Sequence, residues 1–258
     1  MIKKRLDILL QEKGLVESRS LAQKMIMAGQ VRVNGNMVIK PSSTFSDEDV
    51  FTIDHGPQFV SRGGEKLLGA IEAFGLTDLS GLVCVDVGAS TGGFTDCLLQ
   101  HGAEKVYAID VGYGVLHWKM RNHPKVISME KTNARDVNML PDPIDLVVVD
   151  ASFISLKILL PVIRKWYQEK TGSLITLIKP QFEAGKEEAA KGAGVIRDTQ
   201  VHQKVLAEVL SAANDLNYET KGLIKSPLIG PKGNVEFLAW FQYPGKAVDV
   251  DSWVRQVK

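Results

Sequence analysis

Apolar positions along this chain follow two periods, and the change from one to the other divides it. Near the N-terminus Leu6, Leu9 and Leu10 fall at helical spacing, and Gly14 closes that pattern. Ser18 is a suitable N-cap for a second helix carrying Leu21, Ala22, Met25 and Ile26, with Gly29 past its end. Alternation then takes over in Val31-Arg32-Val33-Asn34-Gly35-Asn36-Met37-Val38, where Asn-Gly between alternating apolar residues predicts a hairpin. An acidic turn, Asp47-Glu48-Asp49, leads into a further strand at Val50-Phe51-Thr52-Ile53. Residues 1–54 thus read as two short helices and a small β-unit, residues 55–64 as a turn-rich joint, and residues 65–258 as a second, larger domain.

In the larger domain, after a helix from Glu65 to Phe74, short apolar runs alternate with helical patterns. Strands are predicted near 82–87, 105–110, 125–129, 145–150, 173–179, 219–225 and 234–242, and helices near 93–101, 114–121, 155–168 and 199–215. That alternation predicts an α/β, Rossmann-like fold, a mostly parallel doubly wound sheet covered on both faces. Ligands in such sheets bind beyond the carboxyl ends of the strands. Asp86, Asp110, Asp150 and Lys179 all fall at such ends, which predicts one shared crevice.

Composition excludes several classes. At 258 residues, 45% apolar and 24% charged, the chain has the balance of a soluble globular protein. Cys84 and Cys97 fall mid-strand and on the following helix, as small core residues would, and a reducing cytoplasm is the expected location. The first residues carry charge but no signal-peptide core, and the longest apolar stretch, Leu146 to Ile163, is interrupted by Asp150 and Lys157, so no membrane span is expected. Net charge is only +1, yet residues 1–40 hold eight basic groups against three acids. A basic module joined to a mildly acidic one points to delegated polyanion binding, against the plainer alternative of a solvated surface.

The chemistry starts at Asp86-Val87-Gly88-Ala89-Ser90-Thr91-Gly92-Gly93-Phe94-Thr95, a strand end, a glycine-rich turn and a helix start, followed by a strand ending in Asp110-Val111. Such a unit offers bare peptide N–H groups to a ligand and an acid to a ribose diol. The glycine spacing departs from the dinucleotide fingerprint, and Asp86 would repel a pyrophosphate but accept from an ammonium. S-adenosylmethionine therefore fits better than NAD; a glycine turn with no ligand is the alternative. Four further residues stand out: Lys66, Asp150, Lys179 and Glu236. They read either as two ion pairs that stabilise the crevice rim, or as a proton-abstraction site for methyl transfer to a ribose hydroxyl, with a neutral lysine as base. No metal is expected.

Two resemblances extend this reading. Arg19-Ser20-x-Ala22-x-x-x-Ile26-x-x-Gly29-x-Val31-x-Val33-Asn34-Gly35 resembles the αL-motif RNA-binding domain of the S-four ribosomal-protein type. Arg5, Arg19, Lys24 and Arg32 are then the candidate phosphate contacts, with Arg62 added at the joint. Over nearly its whole length the chain resembles the hemolysin A (TlyA) family of ribosomal RNA 2′-O-methyltransferases, whose catalytic domain is FtsJ-like. The matching segments include Ser61-Arg62-Gly63-Gly64-x-Lys66-Leu67, the glycine-rich turn, Asp150-x-Ser152-Phe153, Lys179-Pro180-Gln181-Phe182-Glu183 and Gly233-Asn234-Val235-Glu236.

The resemblance implies a catalytic set of Lys66, Asp150, Lys179 and Glu236. It also implies a cofactor site drawn from Asp86, Gly88, Ser90, Thr91, Gly92, Gly93, Phe94, Asp110, Val111 and Asp150, with Asp136 holding the adenine amino group. The implied substrate is a cytidine ribose in the RNA of ribosomal subunits. Residues 183–194 read as a mobile lid or a plain disordered loop. A membrane-active protein, an assembly factor without catalysis, and a small-molecule methyltransferase (which leaves residues 1–54 without a role) are the competing readings.

Overall fold

The computed structural model describes residues 3–54 and 56–257; His55, in the predicted joint, lies outside them, as do Met1 and Ile2. The chain separates into two compact units, Met1–Gln58 and Phe59–Lys258. Residues 59–64, expected in the joint, pack in the second unit, where Phe59 is a core residue.

The first unit contains β1 (Lys4–Arg5), α1 (Leu6–Glu12), α2 (Arg19–Met27), β2 (Val31–Val33), β3 (Asn36–Met37), β4 (Thr44–Phe45) and β5 (Phe51–Ile53). The apolar faces read from the sequence close on one another: Leu6, Leu10, Ala22, Met25, Ile26, Val31 and Val33 form a single core. Ser18 caps α2, its hydroxyl accepting from the Leu21 N–H at 3.2 Å. The hairpin forms where Asn-Gly predicts it, with Val33 opposite Asn36 and both turn residues left-handed.

The second unit contains α3 (Gly63–Phe74), β6 (Val83–Val87), α4 (Gly93–Gln100), β7 (Lys105–Ile109), α5 (Trp118–Arg121), β8 (Val126–Met129), β9 (Leu146–Val149), α6 (Leu156–Trp166) and β10 (Gly172–Ile178). It continues with α7 (Pro180–Glu183), α8 (Lys186–Lys191), α9 (Thr199–Asp215), β11 (Glu219–Lys225), β12 (Phe237–Tyr243) and α10 (Val250–Gln256). Seven strands make one sheet in the order β11-β12-β10-β9-β6-β7-β8. The run from β10 to β8 is parallel, and β12 lies antiparallel between β10 and β11.

Both faces are covered, and the central strands are largely apolar, with Asp86 the one charge in β6, because each alternate residue enters a different core. Val85, Val87, Val147 and Val149 pack with α6 and α9, whereas Cys84, Leu146, Val148, Ile175 and Leu177 pack with α3 and α4. Cys84 and Cys97 lie in the second of these cores, free and buried, and burial pushes both thiols up. No helix among the described residues is long and apolar enough to cross a membrane.

Three details differ from the sequence-based expectation. The helix expected over 114–121 is a single turn at Trp118–Arg121, begun by the His117 ring accepting from the Lys119 N–H. Strand β12 starts at Phe237, because Asn234 is held aside, bonding the Ile196 N–H at 3.0 Å and the Gly194 carbonyl at 2.9 Å. Residues 183–194 are also more ordered than a plain loop. Lys186–Lys191 forms α8, and the carboxylate of Glu183 is fixed by the Ser155 hydroxyl and the Leu156 N–H at the start of α6.

Candidate active site

A cleft of about 330 Å³ opens at the carboxyl ends of β6, β7 and β9, lined in part by Gly88, Ser90, Asp110, Val111, Asn133 and Asp150. The register puts these ends level, with Val87 paired to both Ile109 and Val149. Gly88 is required in this position. At φ 82° a side chain is strained, and a Cβ would stand 2.7 Å from the Asp150 carbonyl oxygen. Asp110 organises the turn, one oxygen accepting from the Ser90 N–H at 2.8 Å and the other from the Gly112 N–H at 2.7 Å. Its carboxylate retains free lone pairs on the cleft side, which suits a vicinal diol.

Asp86 is fully buried. Its Oδ2 accepts from the Thr95 N–H and hydroxyl at 2.9 and 2.7 Å, while its Oδ1 is buried without a partner. Burial, opposed by the Thr95 hydrogen bonds and reinforced by the charges of Asp150 and Asp110, pushes its carboxyl up to about 7. An unpartnered buried carboxylate oxygen is costly unless a donor meets it, and a cationic ammonium is the donor that would both satisfy and ionise it. The cleft fits S-adenosylmethionine on its own chemistry: Asp110 lines it as an acceptor for a ribose, Asp86 lies two residues before its Gly88 as an acceptor for an ammonium, and no cationic side chain among its lining residues awaits a phosphate.

Not every expected cofactor residue meets this cleft. Gly88, Ser90, Asp110, Val111 and Asp150 line it; Asp86, which is wholly buried, and Thr91, Gly92, Gly93 and Phe94 do not. Gly93 is pressed against Ser61, and the Phe94 ring sits in the α3–α4 core. Asp136 lies exposed at the end of a 3₁₀ turn, Ala134–Asp136, that brings Asn133 and Ala134 to the cleft instead.

The four polar residues form two buried pairs. Lys179, directly after β10, lies 2.6 Å from Asp150 Oδ1 and donates to the Ser152 hydroxyl at 2.9 Å. Lys66, on the first turn of α3, donates to Glu236 Oε2 at 2.6 Å. Ile178 is paired with Phe237, so Lys179 and Glu236 leave the sheet side by side. Gln181 ties the pairs together, donating to Glu236 Oε1 at 3.3 Å from two residues past Lys179. Lys66, Lys179 and Glu236 are each less than a tenth exposed, whereas Asp150 is partly open, at the cleft. Ser152, Gln181 and Gly230, whose missing Cβ leaves room for Glu236, have no local sequence signal that assigns them these roles.

Phe153 is a further functional candidate that sequence reasoning leaves unassigned. Its ring lines the cleft, is 90% exposed and lies 4.8 Å from the Phe182 ring, on a backbone of φ 63°. A large side chain rarely adopts that conformation without a use for it. Among the described residues no group of three or more His, Cys, Asp or Glu could hold a metal ion.

In the first unit the cationic candidates divide. Arg5 and Arg19 converge on the wholly buried Asp7. Arg5 donates to both carboxylate oxygens at 3.0 and 3.1 Å, Arg19 to one at 2.9 Å, and Gln23 adds a third donor at 2.7 Å. Hydrogen bonding to Arg5 first, then to Gln23 and Arg19, holds the Asp7 carboxyl well below the usual range against the opposing effect of burial. Lys24 and Arg32 are exposed and form no ion pair among the described residues, and in the second unit Arg62 is exposed at the start of α3.

Residues 59–243 match the FtsJ-like methyltransferase family, and residues 4–51 match the S4 domain. The 16S/23S rRNA (cytidine-2′-O)-methyltransferase TlyA of Mycobacterium tuberculosis is 43% identical over 92% of this chain and 89% of its own length. Hemolysin A of Brachyspira hyodysenteriae is 45% identical over 92% of this chain and 99% of its own. Among solved structures, one described as a candidate hemolysin from Streptococcus thermophilus is 39% identical, superimposes with a TM-score of 0.71, and covers 99% of this chain and 96% of its own. With a domain match over most of the chain and these relatives along nearly all of it, this chain belongs to the FtsJ-like methyltransferase family and carries an S4 domain ahead of the enzyme domain.

Proposed function

We propose that this protein methylates the 2′-hydroxyl of a cytidine in ribosomal RNA, acting on ribosomal subunits in the cytoplasm. The observation that carries the reading is Asp150, which faces the cleft and at the same time lies 2.6 Å from the buried Lys179 amine. One residue thus joins the place suited to a methyl donor to the place suited to a proton acceptor. The cytidine and ribosomal RNA come from the named function of the Mycobacterium tuberculosis relative, and the S4 domain supplies an RNA-binding module.

S-adenosylmethionine, when bound, supplies an electrophilic methyl group. Asp86, Asp110, Ser90 and Val111 would hold it, Asp86 Oδ1 taking the ammonium and Asp110 the ribose. Lys179 Nζ accepts the proton of the 2′-hydroxyl as that oxygen attacks. Only the neutral amine can do so. Asp150 and the Ser152 hydroxyl aim Lys179 Nζ, while Glu236, held by Gln181, fixes Lys66. Burial of the pairs excludes water and strengthens each contact. The exposed Phe153 ring offers a face on which a base turned out of its strand stacks.

Methyl transfer from labelled S-adenosylmethionine to isolated ribosomal subunits, with wild type beside Lys179→Ala and the product mapped by mass, tests this. A 2′-O-methylcytidine made only by wild type is expected. Equal labelling by the variant, or a methyl group on a base, would defeat it.

A further inference from the structure

A second cavity, of about 490 Å³, opens on the other face of the sheet from the two lysine pairs. Three exposed cations border it: Arg197 ahead of α9, Lys225 at the end of β11 and Arg255 on α10. Its floor is apolar and aromatic, formed by Leu206, Phe237 and the buried ring of His202. No carboxylate lines it. Arg197 and Lys225 have no ion pair among the described residues, and Arg255 comes only within 3.9 Å of Asp249. The nearby Asp198 carboxylate is engaged in capping α9, accepting from the Gln200 N–H at 2.8 Å. Three cations around one hollow repel one another, in a chain whose net charge is only +1, and an anion relieves that repulsion.

The cavity is coupled to the catalytic residues through the chain itself. Val235 and Phe237 line it, and Glu236 between them points to the opposite face, onto Lys66. Its wall at Arg197 is also fastened to the same loop, since Ile196 donates its N–H to Asn234 Oδ1 at 3.0 Å and accepts from His202 Nε2 at 2.9 Å. Cations at the rim over an aromatic floor match a phosphate joined to a flat ring, which is a nucleotide unit.

We infer that this cavity holds one nucleotide of the substrate RNA strand away from the methylated residue. Its phosphate lies among Arg197, Lys225 and Arg255, and its base lies over Phe237 and His202. The inference rests on the RNA-methylating function proposed above. A free mononucleotide has the same chemistry, and the experiment separates the two sources.

The test uses the full-length protein, wild type and the double variant Arg197→Ala/Lys225→Ala, both surface changes, with unchanged thermal unfolding as the check on folding. Binding to isolated ribosomal subunits is measured across a salt series, and binding of free cytidine monophosphate is measured alongside. We expect the variant to bind subunits roughly tenfold more weakly, with a salt slope shallower by roughly 0.7 for each phosphate that is no longer neutralised. S-adenosylmethionine binding should be unchanged. Wild-type subunit affinity and slope in the variant would overturn the inference, all the more if free cytidine monophosphate still distinguished the two proteins, since the cavity would then serve free nucleotides. The two readings fail separately. Subunit binding that depends on the cavity without any methyl transfer would remove the enzymatic reading alone, and normal transfer with unchanged variant affinity would remove only the cavity.

Discussion

Lys66 on α3 and Glu236 ahead of β12 meet at 2.6 Å across 170 residues of chain, with the Glu236 carboxylate wholly enclosed. Its second oxygen has room only because position 230 is glycine, where a Cβ would stand 2.2 Å from it. Gly230→Ala is therefore expected to displace Glu236 and release Lys66 without touching the cofactor cleft. Methyl transfer should fall roughly a hundredfold, as misplacements of about an ångström do, while the Kd for S-adenosylmethionine, measured by calorimetry, stays at the wild-type value. A fully active Gly230→Ala enzyme would show that the Lys66–Glu236 contact is not needed in the reaction.

Removal of the other lysine isolates the base. Lys179→Ala takes away the proposed proton acceptor and leaves Asp150 facing an empty space. The loss in single-turnover rate is expected at roughly 10²–10⁴-fold, the usual range for a positioned general base. Cofactor affinity is the control, and a variant that binds S-adenosylmethionine normally yet transfers nothing assigns the defect to chemistry.

The position of Asp86 gives the cofactor site a pH dependence. Its carboxyl is raised to about 7. It is thus neutral below that pH and charged above, and only the charged form is a strong acceptor for an ammonium. The Kd for S-adenosylmethionine should fall as pH rises from 6 to 8, and Asp86→Asn should bind more weakly with that slope removed. The same shift has the opposite effect on stability. The folded state keeps a proton that the unfolded chain releases near pH 4, so the contribution of Asp86 declines as pH climbs from about 4 to about 7.

Asp7 shows the reverse sign. Its folded-state affinity for protons is depressed by the Arg5, Gln23 and Arg19 donors, so its stabilisation is complete above about pH 4 and is lost progressively as the pH falls below that. Asp7→Asn should cost the S4 domain roughly 1–3 kcal/mol, the penalty for leaving buried polar partners imperfectly satisfied. It should also flatten the acid side of its unfolding curve, followed by amide signals of residues 3–54. An unchanged curve in the variant would reduce the Asp7 cluster to a surface contact.

Much of this site is legible in the sequence because a charge directly after a run of valine or isoleucine is costly to bury unless it is paired or used. Asp150 after Val147-Val148-Val149 and Lys179 after Ile178 stand out in that way, and the alternation of strand and helix places them at one crevice. What stays hidden are relationships between distant positions. Gln181 reaches Glu236 across 55 residues, and Gln23 reaches Asp7 across 16, with no local pattern to announce either. The sequence places the segment 133–136 after the third strand, but not which of its residues meets the cleft: Asn133 and Ala134 line it, and Asp136 is exposed at the end of the 3₁₀ turn. Asp7 lies in a helical pattern like any exposed acid, and only the packed fold shows two arginines closing over it.

The paired register of β6, β9 and β10 constrains how such a site can change. Successive residues of these strands enter opposite cores; β6 and β9 finish level, Val87 beside Val149, and β10 runs two residues past Thr176, the partner of Val149. Loss of a single residue from β9 would turn Val147, Val148 and Val149 each to the wrong side and carry Asp150 away from Lys179 in the same movement. Strand length in this enzyme is therefore counted in twos. Substitution can vary the ends one side chain at a time, while insertions and deletions are confined to the connections between strands.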